Sequence, residues 1–90
     1  MIVLRRVLGG ELRRHRLGRG MTLKQVGSAA SVSHAYISEV ERGEKEASSE
    51  MLAAICAAMQ VPMSQLLRDV SQEVALLESI DPQPSVAAAA

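Results

Sequence analysis

Side chains capable of chemistry are few and unevenly spread in this 90-residue chain. There is one cysteine, Cys56, and there are two histidines, His15 and His34. A thiol and two imidazoles at those separations do not give the clustered ligand spacing of a zinc site. A lone cysteine also excludes an intrachain disulfide, and fits a reducing compartment such as the cytoplasm. No nucleophile stands beside a base, and no glycine-rich loop has the phosphate-cradling pattern. The chain is therefore not expected to be an enzyme, or to carry a metal or cofactor. What remains is hydrogen bonding and charge. The polar run Ser33-His34-Ala35 is followed by Ser38 and Glu39, with cations at Arg13, Lys24, Arg42 and Lys45. Groups of this kind recognise a partner rather than transform a substrate.

The charge is distributed to match. The formal net charge is zero, but residues 1–45 hold nine of the ten Lys and Arg against four acids, while residues 46–90 hold Arg68 against six. The halves carry +5 and −5, a basic functional half and an acidic remainder. The start of the chain, Met1 to Arg6, has no long apolar run behind it and reads as neither a signal peptide nor a membrane span.

The elements that must position these groups are helices. Without Phe or Trp, the core must be built from Leu, Ile, Val, Ala and Met, which favours helix packing. Apolar spacing at Leu4, Val7, Leu8, Leu12 and Leu17 gives a first helix, Leu4 to Leu17, locally weakened by Gly9 and Gly10 and ended by Gly18 and Gly20. Either glycine in the first helix could let another helix approach closely. Thr22 caps a second helix from Leu23 to Ala29 or Ala30, with Val26 and Ala29 inward. Ser33 caps a third that ends near Arg42, stopped by Gly43. Residues 44–48 form a loop. A fourth helix, capped by Ser49, runs to about Gln60 with Met51, Leu52, Ile55, Cys56 and Met59 as its apolar stripe. Pro62 marks a break, and a last periodic segment spans Met63 to Ile80, divisible at Ser71. Residues 81–90 read as a disordered tail.

Two short helices joined by a tight turn, Leu23–Ala30 and Ser33–Arg42, make a helix-turn-helix candidate. Small residues are needed where the helices touch, a role for Gly27 and Ala30. Val32, Ile37 and Val40 must lock the second helix down. Its polar start at Ser33, His34 and Ala35 is then able to enter a DNA major groove, with Ser38 and Glu39 continuing that face. Arg13, Lys24, Tyr36, Arg42 and Lys45 are candidate phosphate contacts. Thr22 and Leu23 stand at a helix N-terminus, where backbone amides favour an anion.

The run from Leu8-Gly9 and Leu12-Arg13 through Arg16, Gly20-Met21-Thr22-Leu23, Val26 and Val32-Ser33 to Tyr36-Ile37-Ser38-Glu39-Val40-Glu41-Arg42-Gly43 resembles the phage-repressor-like helix-turn-helix family across residues 4–68. The resemblance implies an all-α, five-helix domain over residues 1–68, a helical extension over 69–80, and a sequence-specific DNA-binding regulator. It also implies that Ser33, His34, Ala35, Ser38 and Glu39 read bases. Glu39 either accepts from cytosine N4 or orients a neighbouring arginine. Arg16 in the first helix is implied to pair with Glu41. Ser31 stands where the family often has glycine. If that turn needs a positive φ, serine costs about 1 kcal/mol.

The segment Glu44-Lys45-Glu46-Ala47-Ser48-Ser49-Glu50-Met51-Leu52, continuing to Cys56, is similar to the actinobacterial regulators of Clp protease genes. That implies an activator of stress genes, with RNA polymerase as a further partner. Ala89-Ala90 resembles tail signals recognised by Clp unfoldases, which would make the Clp protease a partner. Val70, Val74, Leu77 and Ile80 form a stripe that covers the core or, as the favoured reading, a homodimer seam over a palindromic operator. Cys56 and the methionines are expected to fill the core, and His15 to lie on the surface. The competing readings are a repressor of the same fold, or an antitoxin-like protein-interaction module.

Overall fold

The computed structural model describes residues 3–80, which form five helices: α1 (Leu4–Gly18), α2 (Leu23–Ala30), α3 (His34–Glu41), α4 (Ser49–Ala58) and α5 (Met63–Ile80). Among the described residues there is no strand. Helix α1 packs on α3 and α5, α2 packs on α3 and α4, and α4 packs on α5. One core joins all five, with Leu12 from α1, Val26 from α2, Ile37 and Val40 from α3, Ile55 from α4 and Met59 just after it, and Leu66 and Val70 from α5. Cys56 lies in the same core, and burial pushes its thiol pKa up, so it stays protonated and inert. No single helix among these is long and apolar enough to cross a membrane.

Local chemistry sets the helix ends. Thr22 and Gln25 form a reciprocal capping box: the Gln25 amide donates to Thr22 Oγ1 at 3.1 Å, and the Thr22 amide donates to Gln25 Oε1 at 2.9 Å. Ser33 Oγ accepts from the Tyr36 amide at 3.1 Å and opens α3. Helix α4 is capped by Ser48, whose Oγ accepts from Met51 at 3.2 Å, one residue earlier than the sequence spacing suggests. Ser31 ends α2 in the left-handed region at φ 58°, and the Val32 amide returns to the Gly27 carbonyl at 2.9 Å. Gln60 does the same after α4, at φ 56°.

Gly9 and Gly27 are required where helices meet. A Cβ on Gly9 would overlap the carbonyls of Val40 and Glu41, so this position brings α1 against the end of α3. A Cβ on Gly27 would sit 2.6 Å from the Val32 carbonyl, so the turn between α2 and α3 closes only over a residue without a side chain.

Several expectations are corrected. Ala29 is exposed, and Ala30 takes the inward position beside Val26. Leu4 and Leu17 are exposed, leaving Leu12 as the buried apolar residue of α1, flanked by partly buried Val7 and Leu8. Helix α4 ends at Ala58 rather than near Gln60. Helix α5 is unbroken at Ser71, and its Val70 belongs to the core. The tail over 81–90, with Ala89 and Ala90, lies outside the described residues.

Candidate nucleic-acid interface

The base-reading candidates come together on one side of α3. Ser33, His34 and Ala35 are exposed at its start, and Ser38 and Glu39 are half-buried one turn on. Ile37 and Val40, on the opposite face, are almost completely buried and fix the helix to the core. The exposed face is therefore held rigidly, as major-groove insertion requires. Ser33 Oγ accepts one hydrogen bond as the helix cap, so toward a ligand its hydroxyl hydrogen and one lone pair remain.

The phosphate candidates divide. Arg13, Leu23 and Arg42 line one cleft of about 400 Å³ with Arg16, Ser38 and Glu41, so residues from three helices converge beside the α3 face. The capping box engages the Thr22 amide and uses its hydroxyl oxygen as an acceptor, which leaves the hydroxyl hydrogen as what Thr22 can offer an anion. The amides of Leu23 and Lys24, at the first two positions of α2, have no partner within the helix. Lys24 is exposed. Tyr36 is committed elsewhere: its hydroxyl donates to the Glu46 carbonyl at 3.0 Å, and Lys45 Nζ lies 6.0 Å from its ring centroid.

Arg16 and Glu41 meet in a two-pronged pair. Arg16 Nε and Nη2 donate to the Glu41 carboxylate at 2.8 and 3.0 Å, and Nη1 donates to the Met21 carbonyl at 3.0 Å. Both side chains are about nine-tenths buried, at 10% and 6% exposure. The hydrogen bond to Glu41, against an opposing desolvation, raises the Arg16 pKa further, so the charge is permanent. Each guanidinium nitrogen has an acceptor, which is what makes burial of this charge tolerable. The pair ties α1 to α3 and takes the Glu41 charge away from the exposed face.

Glu44, Glu39 and Asp69 are also engaged. Arg42 Nε and Nη2 donate to the Glu44 carboxylate at 2.9 and 3.0 Å, and Arg42 Nη1 contacts Ser38 Oγ. The Arg42–Glu44 hydrogen bonding holds the Glu44 carboxyl below the usual carboxylate range and raises the Arg42 pKa. Glu39 pairs with Lys45 at 3.5 Å rather than with an arginine. His15, expected on the surface, is partly buried and meets Asp69 with Nε2 2.6 Å from Oδ2, which joins α1 to α5. Gln65 Nε2 donates to the other oxygen of Asp69 at 2.9 Å. The His15 hydrogen bond lowers the Asp69 pKa. No sequence signal links positions so far apart, whereas Arg42-Gly43-Glu44 carries a local one: a glycine turn between opposite charges.

The α5 stripe is split. Val70 is in the core and Val74 packs against it, so the chain itself covers these two members of the expected seam. Leu77 is partly buried, and Leu76 and Ile80 are exposed at 56% and 74%.

Comparison with known proteins agrees with this geometry. The sequence profile of the family described as "Helix-turn-helix domain" matches residues 7–69. The transcriptional regulator ClgR of Mycobacterium tuberculosis is 46% identical over 78 residues, covering 87% of this chain and 70% of the relative. The crystal structure of the clp gene regulator ClgR from Corynebacterium glutamicum superposes with a TM-score of 0.80 at 38% identity, covering 91% of this chain and 98% of that one. The restriction-modification controller protein C.AhdI from Aeromonas hydrophila superposes with a TM-score of 0.67 at 21% identity, over 69% of this chain and 94% of that one, and shares the fold. An all-α helix-turn-helix core with a rigid polar face, and this degree of identity over most of both chains, place the protein in the helix-turn-helix family and, within it, among the ClgR-type transcriptional regulators.

Proposed function

We propose that the chain binds double-stranded DNA as a homodimer at a palindromic operator and activates transcription of clp and related stress genes, without a catalytic step. The observation that carries the reading is the exposed polar start of α3, anchored from behind by Ile37 and Val40 and flanked by the Arg13–Leu23–Arg42 cleft. Ser33, His34, Ala35, Ser38 and Glu39 read base edges from this face. Arg13, Leu23, Lys24, Arg42 and Lys45 take phosphates and set affinity and register. The clp target follows the name of the Corynebacterium glutamicum relative. The sign is assigned from the resemblance of residues 44–56 to Clp-gene activators, and RNA polymerase is the further partner an activator needs.

The homodimer is supported by the apolar end of α5, where Leu76, Leu77 and Ile80 continue past the core. Pairing would place two α3 helices to read half-sites about 34 Å apart. The tail over 81–90 is proposed to carry a Clp-read degradation signal at Ala89-Ala90, and an unchanged cellular half-life after deletion of 86–90 would refute that role. Base and phosphate roles separate by substitution. Arg13→Ala is expected to weaken binding to every duplex alike and reduce the salt slope by about one. His34→Ala is expected to change which bases are preferred at one half-site position, at about 1–3 kcal/mol of lost discrimination. Equal effects of both on all sequences would remove the base-reading role.

A further inference from the structure

The strand of loop after α3 is acidic where a phosphate contact is required. Residues 38–46 carry Arg42 and Lys45 against Glu39, Glu41, Glu44 and Glu46. Glu41 is withdrawn by Arg16. Glu44 is not withdrawn: its carboxylate faces Arg42 through two hydrogen bonds at 2.9 and 3.0 Å, with both side chains half exposed, at 53% and 54%. A two-pronged guanidinium–carboxylate pair uses the same fork that a guanidinium offers to a phosphate.

Residues two apart do not face each other on a helix. Here the backbone makes them do so. Gly43 is buried with φ 74°, and a Cβ there would run into Arg6. The Gly43 amide donates to the Val40 carbonyl at 3.0 Å and the Glu44 amide to the Glu39 carbonyl at 2.9 Å. From α1, Arg5 Nε donates to the Gly43 carbonyl at 2.8 Å. Three hydrogen bonds and a left-handed turn therefore fix the point from which Glu44 reaches back to Arg42. Glu39, 3.5 Å from Lys45, repeats the arrangement more loosely.

We propose that Glu44 is a built-in competitor for DNA phosphate: it occupies Arg42 in the free chain, and any duplex must displace it to use that arginine. The inference rests on the DNA-interface reading of Arg42 and deepens it. An arginine already neutralised by its own chain releases fewer counterions on binding, so Glu44 lowers both affinity and salt sensitivity. Glu44 thereby becomes a determinant of how strongly the protein holds DNA, although it touches none.

The test is a titration of a random-sequence duplex across about 50 to 200 mM salt, with wild type, Glu44→Gln, Arg42→Ala and the double variant. Glu44→Gln is expected to tighten binding about fivefold at the low-salt end, the scale of an exposed ion pair, and to steepen the salt slope by about one. Arg42→Ala should weaken binding and flatten the slope, and in its background Glu44→Gln should do nothing. If Glu44→Gln binds no tighter than wild type while Arg42→Ala still weakens, Glu44 holds Arg42 in place rather than competing, and the proposal fails with the interface intact. If Glu44→Gln tightens binding equally in the Arg42→Ala background, the effect is a general repulsion and the competition is refuted. If Arg42→Ala matches wild type in affinity and slope, the phosphate role of Arg42, on which the proposal rests, is itself overturned.

Discussion

Arg16 and Glu41 show how one buried ion pair serves both stability and presentation of the recognition surface. Removing either partner strands a charge that is nine-tenths buried, so Arg16→Ala should lower the unfolding free energy by about 3 kcal/mol in a denaturant melt. A change within the range of an ordinary surface substitution would mean that the pair contributes little. Asp69 works in the opposite chemical direction. Its pKa is lowered, chiefly by the His15 hydrogen bond, so its contribution is present above the ordinary carboxylate pKa and is lost as pH falls through the depressed value. Asp69→Asn should therefore flatten the loss of stability on the acid limb, and an acid limb as steep as wild type would show that the contact does not couple to folding. The two pairs also differ in how they could be read from sequence. The Arg16–Glu41 pair was implied by family resemblance, whereas His15 and Asp69 sit on distant helices whose register only the packing of α5 on α1 determines. The Arg42–Glu44 pair was local enough to be legible, through the glycine between them.

At the scale of elements, the helices follow from capping and apolar spacing, and the misreadings fall at their ends. Ser48 and Ser49 are chemically equivalent caps, and only the backbone decides between them. Ser71 looked like a break because a polar residue interrupts the sequence, but it is exposed on a helix whose Val70 and Val74 are held by the core. Ala29 and Ala30 are both small and both lie about one turn after Val26, so spacing alone does not choose between them, and it is Ala30 that packs against the core. That left-handed residue, Ser31 at φ 58°, was flagged by its departure from glycine. Ser31→Gly should raise stability by up to about 1 kcal/mol, since it relieves the backbone penalty at some cost in unfolded-state entropy. No stabilisation in a thermal melt would mean that local hydrogen bonding already offsets the strain. Because the turn sets the angle between α2 and α3, the same variant should retain DNA binding.

For the molecule as a whole, the +5 half of the sequence spans α1 to α3, with its excess of positive charge on α1, where Arg5, Arg6, Arg13, Arg14 and Arg16 face one acid, Glu11, and the −5 half holds α4 and α5. The seam read along α5 was blurred by helical periodicity, which marks apolar positions without saying which neighbour covers them. Val70 and Val74 face the chain's own core, while Leu76 and Ile80 do not. Leu76→Glu with Ile80→Glu should therefore give a folded monomer in sedimentation, with weakened operator binding. A dimer that survives both charges would place the interface elsewhere. The central claim is that a dimeric, sequence-specific regulator is presented by α3, and selection of genomic fragments by the purified protein tests it most directly. At about 150 mM salt, where much nonspecific binding is suppressed, the account predicts enrichment of one palindrome upstream of clp-type genes. Recovery of fragments with no shared sequence would contradict it and leave the face of α3 as a surface for some other partner.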